Sequence, residues 1–191
     1  MDYFEINKDG SEFLSDIPFS ISYHKIEKYE DMDIRENASI YIFYIVKGKG
    51  FINDFHWKEN NLFIYPYSPN GIQFCASEDT EFYLIHNSPL LESMGVRPYR
   101  SLFNPKKYEL NERIDSENIK KIFIQPERIE TIHLKKNTFL LCISDCNKKV
   151  KSYLQQKEIL WEKGKLIFIP KGNFITFYHQ NNSKTIFLQI E

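Results

Sequence analysis

Cysteine is scarce in this chain: three in 191 residues, an odd number, cannot supply the paired framework that staples a small secreted domain. Cys142 and Cys146 lie four apart in a run that reads as a strand. At about 3.3 Å per residue they stand too far apart to bridge, so the thiols are expected to be reduced, as in a reducing compartment. A C-x3-C pair with no further Cys or His beside it is also a poor zinc site. No apolar run approaches the roughly 18 residues of a membrane span, and the opening Met1-Asp2-Tyr3-Phe4-Glu5-Ile6-Asn7-Lys8 has no basic segment followed by an apolar one. A formal net charge of −1, with scattered lysines, offers no field for nucleic acid or anionic lipid. These absences describe a cytoplasmic protein with neither nucleic acid nor membrane among its partners. The five histidines, His24, His56, His86, His133 and His179, fall nowhere into H-x-H or H-x3-H spacing, so no metal-ligating pair is visible.

What the chain does have is aromatic residues, 16 Phe and 12 Tyr, which favour strands. Short apolar runs such as Ser39 to Val46, Leu62 to Tyr65, Ile72 to Ala76, Glu81 to His86, Thr138 to Ser144, Leu166 to Ile169, Phe174 to His179 and Thr185 to Ile190 alternate with Gly, Asn, Asp and Pro clusters. That pattern predicts an all-β antiparallel sandwich or barrel. One segment occurs twice: Trp57-Lys58-Glu59-Asn60-Asn61-Leu62-Phe63-Ile64-Tyr65-Pro66 and Trp161-Glu162-Lys163-Gly164-Lys165-Leu166-Ile167-Phe168-Ile169-Pro170. Trp57 to Trp161 and Pro66 to Pro170 give the same period of 104 residues, which points to an internal duplication. Two copies are too few for a solenoid, so each is read as a compact β unit, the two packing as one. A helix is predicted at Leu90 to Met94, with Ser88 as cap, Pro89 at its first position and Gly95 closing it. A second, weaker helical signal spans Asp115 to Lys121. The boundaries read as a first barrel at 1–95, a connector at 96–120 and a second barrel at 121–191.

Gly164, Pro170, Gly172, Ile175 and His179 follow the spacing G(X)5PXG(X)2H(X)3N, the second signature of the cupin superfamily, with Ile175 at its metal-binding His and His179 at its Asn. The first repeat follows the same frame through Asn60, Pro66, Ser68 and Gly71, again without the His. Gly48 resembles the closing glycine of the upstream signature, G(X)5HXH(X)3,4E(X)6G. Counting back puts Tyr41 at its Glu and either Ile34 with Glu36 or Arg35 with Asn37 at its His pair. In the second repeat Cys146, Phe139 and His133 with Lys135 take those places. His86-Asn87-Ser88-Pro89-Leu90-Leu91-Glu92-Ser93-Met94-Gly95-Val96-Arg97-Pro98 is similar to the segment after the first barrel in bicupins related to gentisate 1,2-dioxygenase. The resemblance implies two tandem jelly-roll cupin barrels whose usual ligands for iron are lost, hence no metal and no cofactor.

Strand alternation then predicts inward side chains at Tyr41, Phe43, Ile45, Gln73 and Cys75 in the first barrel, and at Phe139, Leu141, Ile143, Ile175, Phe177 and His179 in the second. Gly71 in place of a His is expected to open space in the first. The ligand-binding candidates are Tyr41, Gln73, Arg35, Glu36, Cys75, His133 and His179. The expected function is that of a metal-free bicupin that binds a small molecule or a protein partner without catalysis. The alternative is a cupin enzyme, dioxygenase-like with ligands such as His24 or His86, or resembling metal-independent sugar isomerases and epimerases, where a His base works beside a Tyr acid. Tyr44-Ile45-Val46-Lys47-Gly48-Lys49-Gly50 also resembles the sensor cupins of bacterial transcription activators, although the chain continues into strands where those have a helix-turn-helix. Single barrels often pair through edge strands, which allows a homodimer, although an internal repeat can already provide that pseudo-symmetric contact within one chain.

Overall fold

The computed structural model describes residues 4–5, 19–35, 38, 40–53, 55–66, 71–87, 105–114, 119–146, 150–180 and 183–191. The described residues are strands and turns, with no helix among them. The predicted helix at Leu90 to Met94, and Glu36, lie outside them. The chain forms two compact units, one of residues 8–110 and one of residues 1–7 with 111–191.

In the first unit, β2 (Phe19–Ile26), β4 (Ile40–Lys47), β7 (Leu62–Pro66), β9 (Thr80–Asn87) and β10 (Lys106–Tyr108) make a five-stranded antiparallel sheet ordered β10-β7-β4-β9-β2. A four-stranded sheet, β3-β8-β5-β6, is built from β3 (Asp31–Ile34), β5 (Lys49–Ile52), β6 (Phe55–Lys58) and β8 (Ile72–Ala76). The stretch read as a connector thus supplies β10, which pairs with β7. Between the two sheets lies a core of Phe43, Ile45, Trp57, Phe63, Phe74, Phe82 and Leu84. The ring of Phe74 stacks 4.7 Å from Trp57 and 4.2 Å from Phe82. Gly48 joins β4 to β5 alone, at φ +98°, and an added Cβ would stand 2.3 Å from Thr80 Oγ1.

The second unit repeats this order strand for strand. Its five-stranded sheet is β1 (Phe4–Glu5), β16 (Leu166–Ile169), β13 (Thr138–Cys142), β18 (Thr185–Ile190) and β11 (Ile119–Ile124), in that order. Its four-stranded sheet is β12 (Ile129–His133), β17 (Phe174–His179), β14 (Val150–Leu154) and β15 (Lys157–Trp161). Ile119, Lys120 and Lys121, the end of the weaker helical candidate, are strand, because they pair with β18 from Ile190 to Leu188. The core gathers Leu140, Cys142, Trp161, Ile167, Ile175, Phe177 and Phe187.

The repeat is not rigid in register. The cross-strand pair Phe43 and Phe63 corresponds to Leu140 and Ile167, an offset of 97 on β4 but 104 on β7. The difference falls between Cys142, the end of β13, and Val150, the start of β14, where Gly48 alone separates β4 from β5 in the first unit. Alternation therefore turns Leu140 and Cys142 inward rather than Phe139, Leu141 and Ile143, a correction of one residue. The same turn overturns the separation expected for the cysteines. β13 ends at Cys142, residues 143–146 bend back, and Cys146 Sγ lies 3.8 Å from Cys142 Sγ.

Candidate functional site

The first unit's interior is apolar along most of its length and polar at one end. There, four directly opposed residues cross the five-stranded sheet: Tyr65 on β7, Tyr41 on β4, His86 on β9 and Ser20 on β2. They share the face of Phe43, Phe63, Phe82 and Leu84, two residues along each strand, and so face the core side. All four are buried, with relative exposures of 9%, 1%, 6% and 6%. The Tyr41 and His86 rings lie 6.2 Å apart.

Neighbouring groups orient the two phenols. Ala38 N–H donates to Tyr41 Oη at 3.3 Å. Asn53 Nδ2 donates to Tyr65 Oη at 2.6 Å, while Asn53 Oδ1 accepts Gln73 N–H at 3.0 Å, which settles the orientation of the amide. Each phenol oxygen thus accepts a bond from a held donor. On the same face of β2, Ser22 Oγ and His24 Nε2 are 2.6 Å apart, and the imidazole of His24 stacks on Phe82 at 5.0 Å. A Tyr and a His facing each other in a largely apolar interior can orient a polar ligand or exchange protons with it.

The other candidates are dispersed. Gln73 is exposed on the outer face of β8, and Cys75 is half-buried beside it, because Ile72 and Phe74 are the inward residues of that strand. The cause is a second slip. Phe74 corresponds to Phe177 and Ile72 to Ile175, an offset of 103 where the motif frame assumed 104. Gly71 is set by φ +78° and opens no space, since a Cβ there would lie 3.1 Å from Ile34 O and 3.4 Å from Arg35 Cγ. Arg35 is exposed and pairs with Asp33 at 3.0 Å. The Cys75 thiol is pushed up to about 11 by desolvation, by its hydrogen bond to Asp31 and by the charges of Asp31 and Asp33. His133 lies on the exposed outer face of β12, stacked on Phe174 at 4.3 Å. His179 does face inward and is buried, where Nε2 meets Thr185 Oγ1 at 2.7 Å.

The second unit is less apolar than expected at the end corresponding to Tyr41. Gln189, 2% exposed, stands opposite Leu140 on the core face and donates to Glu191, whose carboxylate pairs with Lys120 at 3.5 Å and Lys136 at 3.7 Å. Neither His86 nor Gln189 was marked as lining by the motif frame. The available signal was the strand pairing itself, which places His86 opposite Tyr41 and Gln189 opposite Leu140.

No family model matches this sequence, and no curated protein matches it significantly. Solved structures do. Protein Ylba from E. coli superposes with a TM-score of 0.66 at 12% identity, over 100% of this chain and 91% of that one. A salicylate 1,2-dioxygenase from Pseudaminobacter salicylatoxidans gives 0.67 at 9%, over 91% and 71%. A cupin 2 conserved barrel domain protein from Leptotrichia buccalis gives 0.60 at 12%, over 99% and 87%. This chain has the cupin fold, twice over. At such identities the likeness speaks for the fold alone.

Within the bicupin fold, the residues present do not fit the iron that the fold implies. Isoleucine, Ile72 in one barrel and Ile175 in the other, holds the structural place of the second signature's His, both at most 1% exposed. At the carboxylate position stand Tyr41 and, by strand pairing, Thr138. Among the described residues, no three His, Cys, Asp or Glu converge to hold a metal ion. No described helix is long and apolar enough to cross a membrane.

Proposed function

We propose that the protein is a bicupin that binds a small polar molecule at the Tyr41 end of its first barrel, without a resident metal and without turning the molecule over. The observation that carries this is the row Tyr65–Tyr41–His86–Ser20, a set of inward polar side chains crossing four strands above an aromatic core. A few converging polar groups on an apolar floor is the composition of a small-ligand site, and hydroxyl and imidazole groups suit a ligand rich in oxygen. A thermal-shift panel of sugars, small organic acids and amino acids tests it. A ligand present at a hundred times its Kd adds about 2.7 kcal/mol, which raises the midpoint by about 5–10 °C in a chain of this size. The shift should vanish in Tyr41→Phe/His86→Ala.

A second reading, catalysis by acid and base, is favoured by one observation, the 6.2 Å separation of the Tyr41 and His86 rings. A substrate carbonyl between them would take the Tyr41 proton while His86 removes a proton from the neighbouring carbon, as in an isomerase or epimerase. Incubation of each ligand in D2O separates the readings. Loss of an exchangeable C–H signal with the wild type but not with His86→Gln would establish catalysis, and retention would leave the binder.

A further inference from the structure

The two sulfurs of the second barrel have no part in the site above. Cys142 closes β13 and Cys146 ends the bend that follows, and both side chains are fully buried within the core that includes Trp161 and Phe177. Their Sγ atoms are in van der Waals contact at 3.8 Å, with Cys142 donating to Ser144 O at 3.4 Å and Cys146 to Trp161 O at 3.0 Å. The bend is pinned where it leaves β13. Ile143 N–H bonds Ile186 O, Ser144 Oγ accepts Ile186 N–H, and Cys142 exchanges backbone bonds with Gly164 and Lys165. The Cys142 side of the contact is thus held by backbone bonds and the Cys146 side by its S–H···O bond to Trp161.

From this geometry we infer that Cys142 and Cys146 form a latent disulfide, a modification site in the second barrel that a small hydroperoxide can close. A disulfide needs its sulfurs at about 2.05 Å, so they must approach by about 1.8 Å, giving up their S–H···O bonds. The Cys142 thiol is held well above its ordinary range by its hydrogen bond with Cys146 and by burial. The thiolate of one cysteine attacks the peroxide, breaking the O–O bond and leaving a sulfenic acid and one water. The sulfur of the other then displaces the hydroxyl, forming the S–S bond and releasing a second water. Two thiols are oxidised by two electrons and one hydrogen peroxide is reduced to two waters. Burial means that the reaction proceeds through opening of the barrel wall and is slow in the resting fold.

The test uses the full chain carrying Cys75→Ser, which leaves only this pair of cysteines and alters no core residue. The folded protein is treated with hydrogen peroxide, the excess is removed, the chain is alkylated in denaturant, and its intact mass is read before and after reduction. The inference predicts a product lighter by two hydrogen atoms, resistant to alkylation and returned to two alkylatable thiols by reduction, with near-ultraviolet circular dichroism still that of the folded chain. In Cys142→Ser/Cys75→Ser the same treatment should add oxygen to Cys146 instead. Two thiols that remain alkylatable under peroxide that oxidises Cys75 in the parent chain would overturn it. So would addition of oxygen atoms to the intact pair.

Discussion

The two barrels share one strand order and divide their chemistry unequally. In the first, the row at the Tyr41 end is phenol, phenol, imidazole and hydroxyl, and the outer face of the four-stranded sheet carries Asp31, Asp33, Gln73, Lys49 and Lys58 around one exposed phenyl ring, Phe51 at 37%. In the second, Thr138 and Ile169 replace the two tyrosines, and the corresponding outer face exposes Ile129 at 67%, Phe174 at 56% and Tyr178 at 38%. The two units share what the fold needs, namely strand pairing and an apolar filling. They differ at the ends and outer faces, because neither contributes to closing a sheet on its core. Ligand recognition is thus expected in one barrel and a buried dithiol in the other.

The comparison can be broken most severely at the cores. Phe74→Ala and Phe177→Ala delete corresponding, fully buried rings, and each should cost about 3–5 kcal/mol in urea unfolding. A loss below about 1 kcal/mol for Phe74→Ala alone would mean that the first barrel is hollow where the second is filled. Next comes the buried polar pair special to the second barrel. Ser152→Ala removes the acceptor 2.8 Å from Trp161 Nε1, and the orphaned indole N–H should cost about 1–3 kcal/mol. The analogous position in the first barrel is Ile52, so no such pair exists there to break.

Tyr41→Phe is a smaller change, taking the acceptor from the Ala38 N–H at a cost of about 1 kcal/mol, while abolishing the ligand-dependent thermal shift. Thr138→Val, at the corresponding place, should leave that shift intact. The mildest effect concerns reactivity. With its thiol pushed up to about 11, Cys75 should be alkylated at pH 8 about a hundredfold more slowly than an ordinary thiol, since the thiolate fraction falls in that proportion. The suppression lifts as pH climbs toward 11, and Asp31→Asn should lift it earlier. Labelling at the full rate at pH 8 would show that the Asp31–Cys75 contact does not persist.

Much of this architecture was legible in the sequence. Alternation of Tyr41, Phe43 and Ile45 placed the right face of β4 inward, and the Trp57 and Trp161 anchors aligned the two barrels. What failed was constant spacing. A motif frame carries one offset through the repeat, whereas the structure has 97 on β4, 104 on β7 and 103 on β8. In a strand a slip of one residue reverses every side chain. That is why Gln73 and Cys75 came out on the surface and Leu140 and Cys142 in the core. The Tyr41–His86 juxtaposition was hidden for another reason, since four strands separate β4 from β9 in sequence and only the ladder between those two brings the residues side by side.

The central claim is that isoleucine has taken the ligand position in both barrels, leaving recognition to the polar end of the first. Elemental analysis by inductively coupled plasma mass spectrometry, on untagged protein after mild dialysis, tests it most directly. The account predicts iron, manganese, nickel, copper and zinc all far below one equivalent per chain. A single transition metal at about one equivalent, lost together with the ligand-dependent thermal shift on His86→Ala, would contradict it and place a metal at the end where Tyr41 and His86 meet.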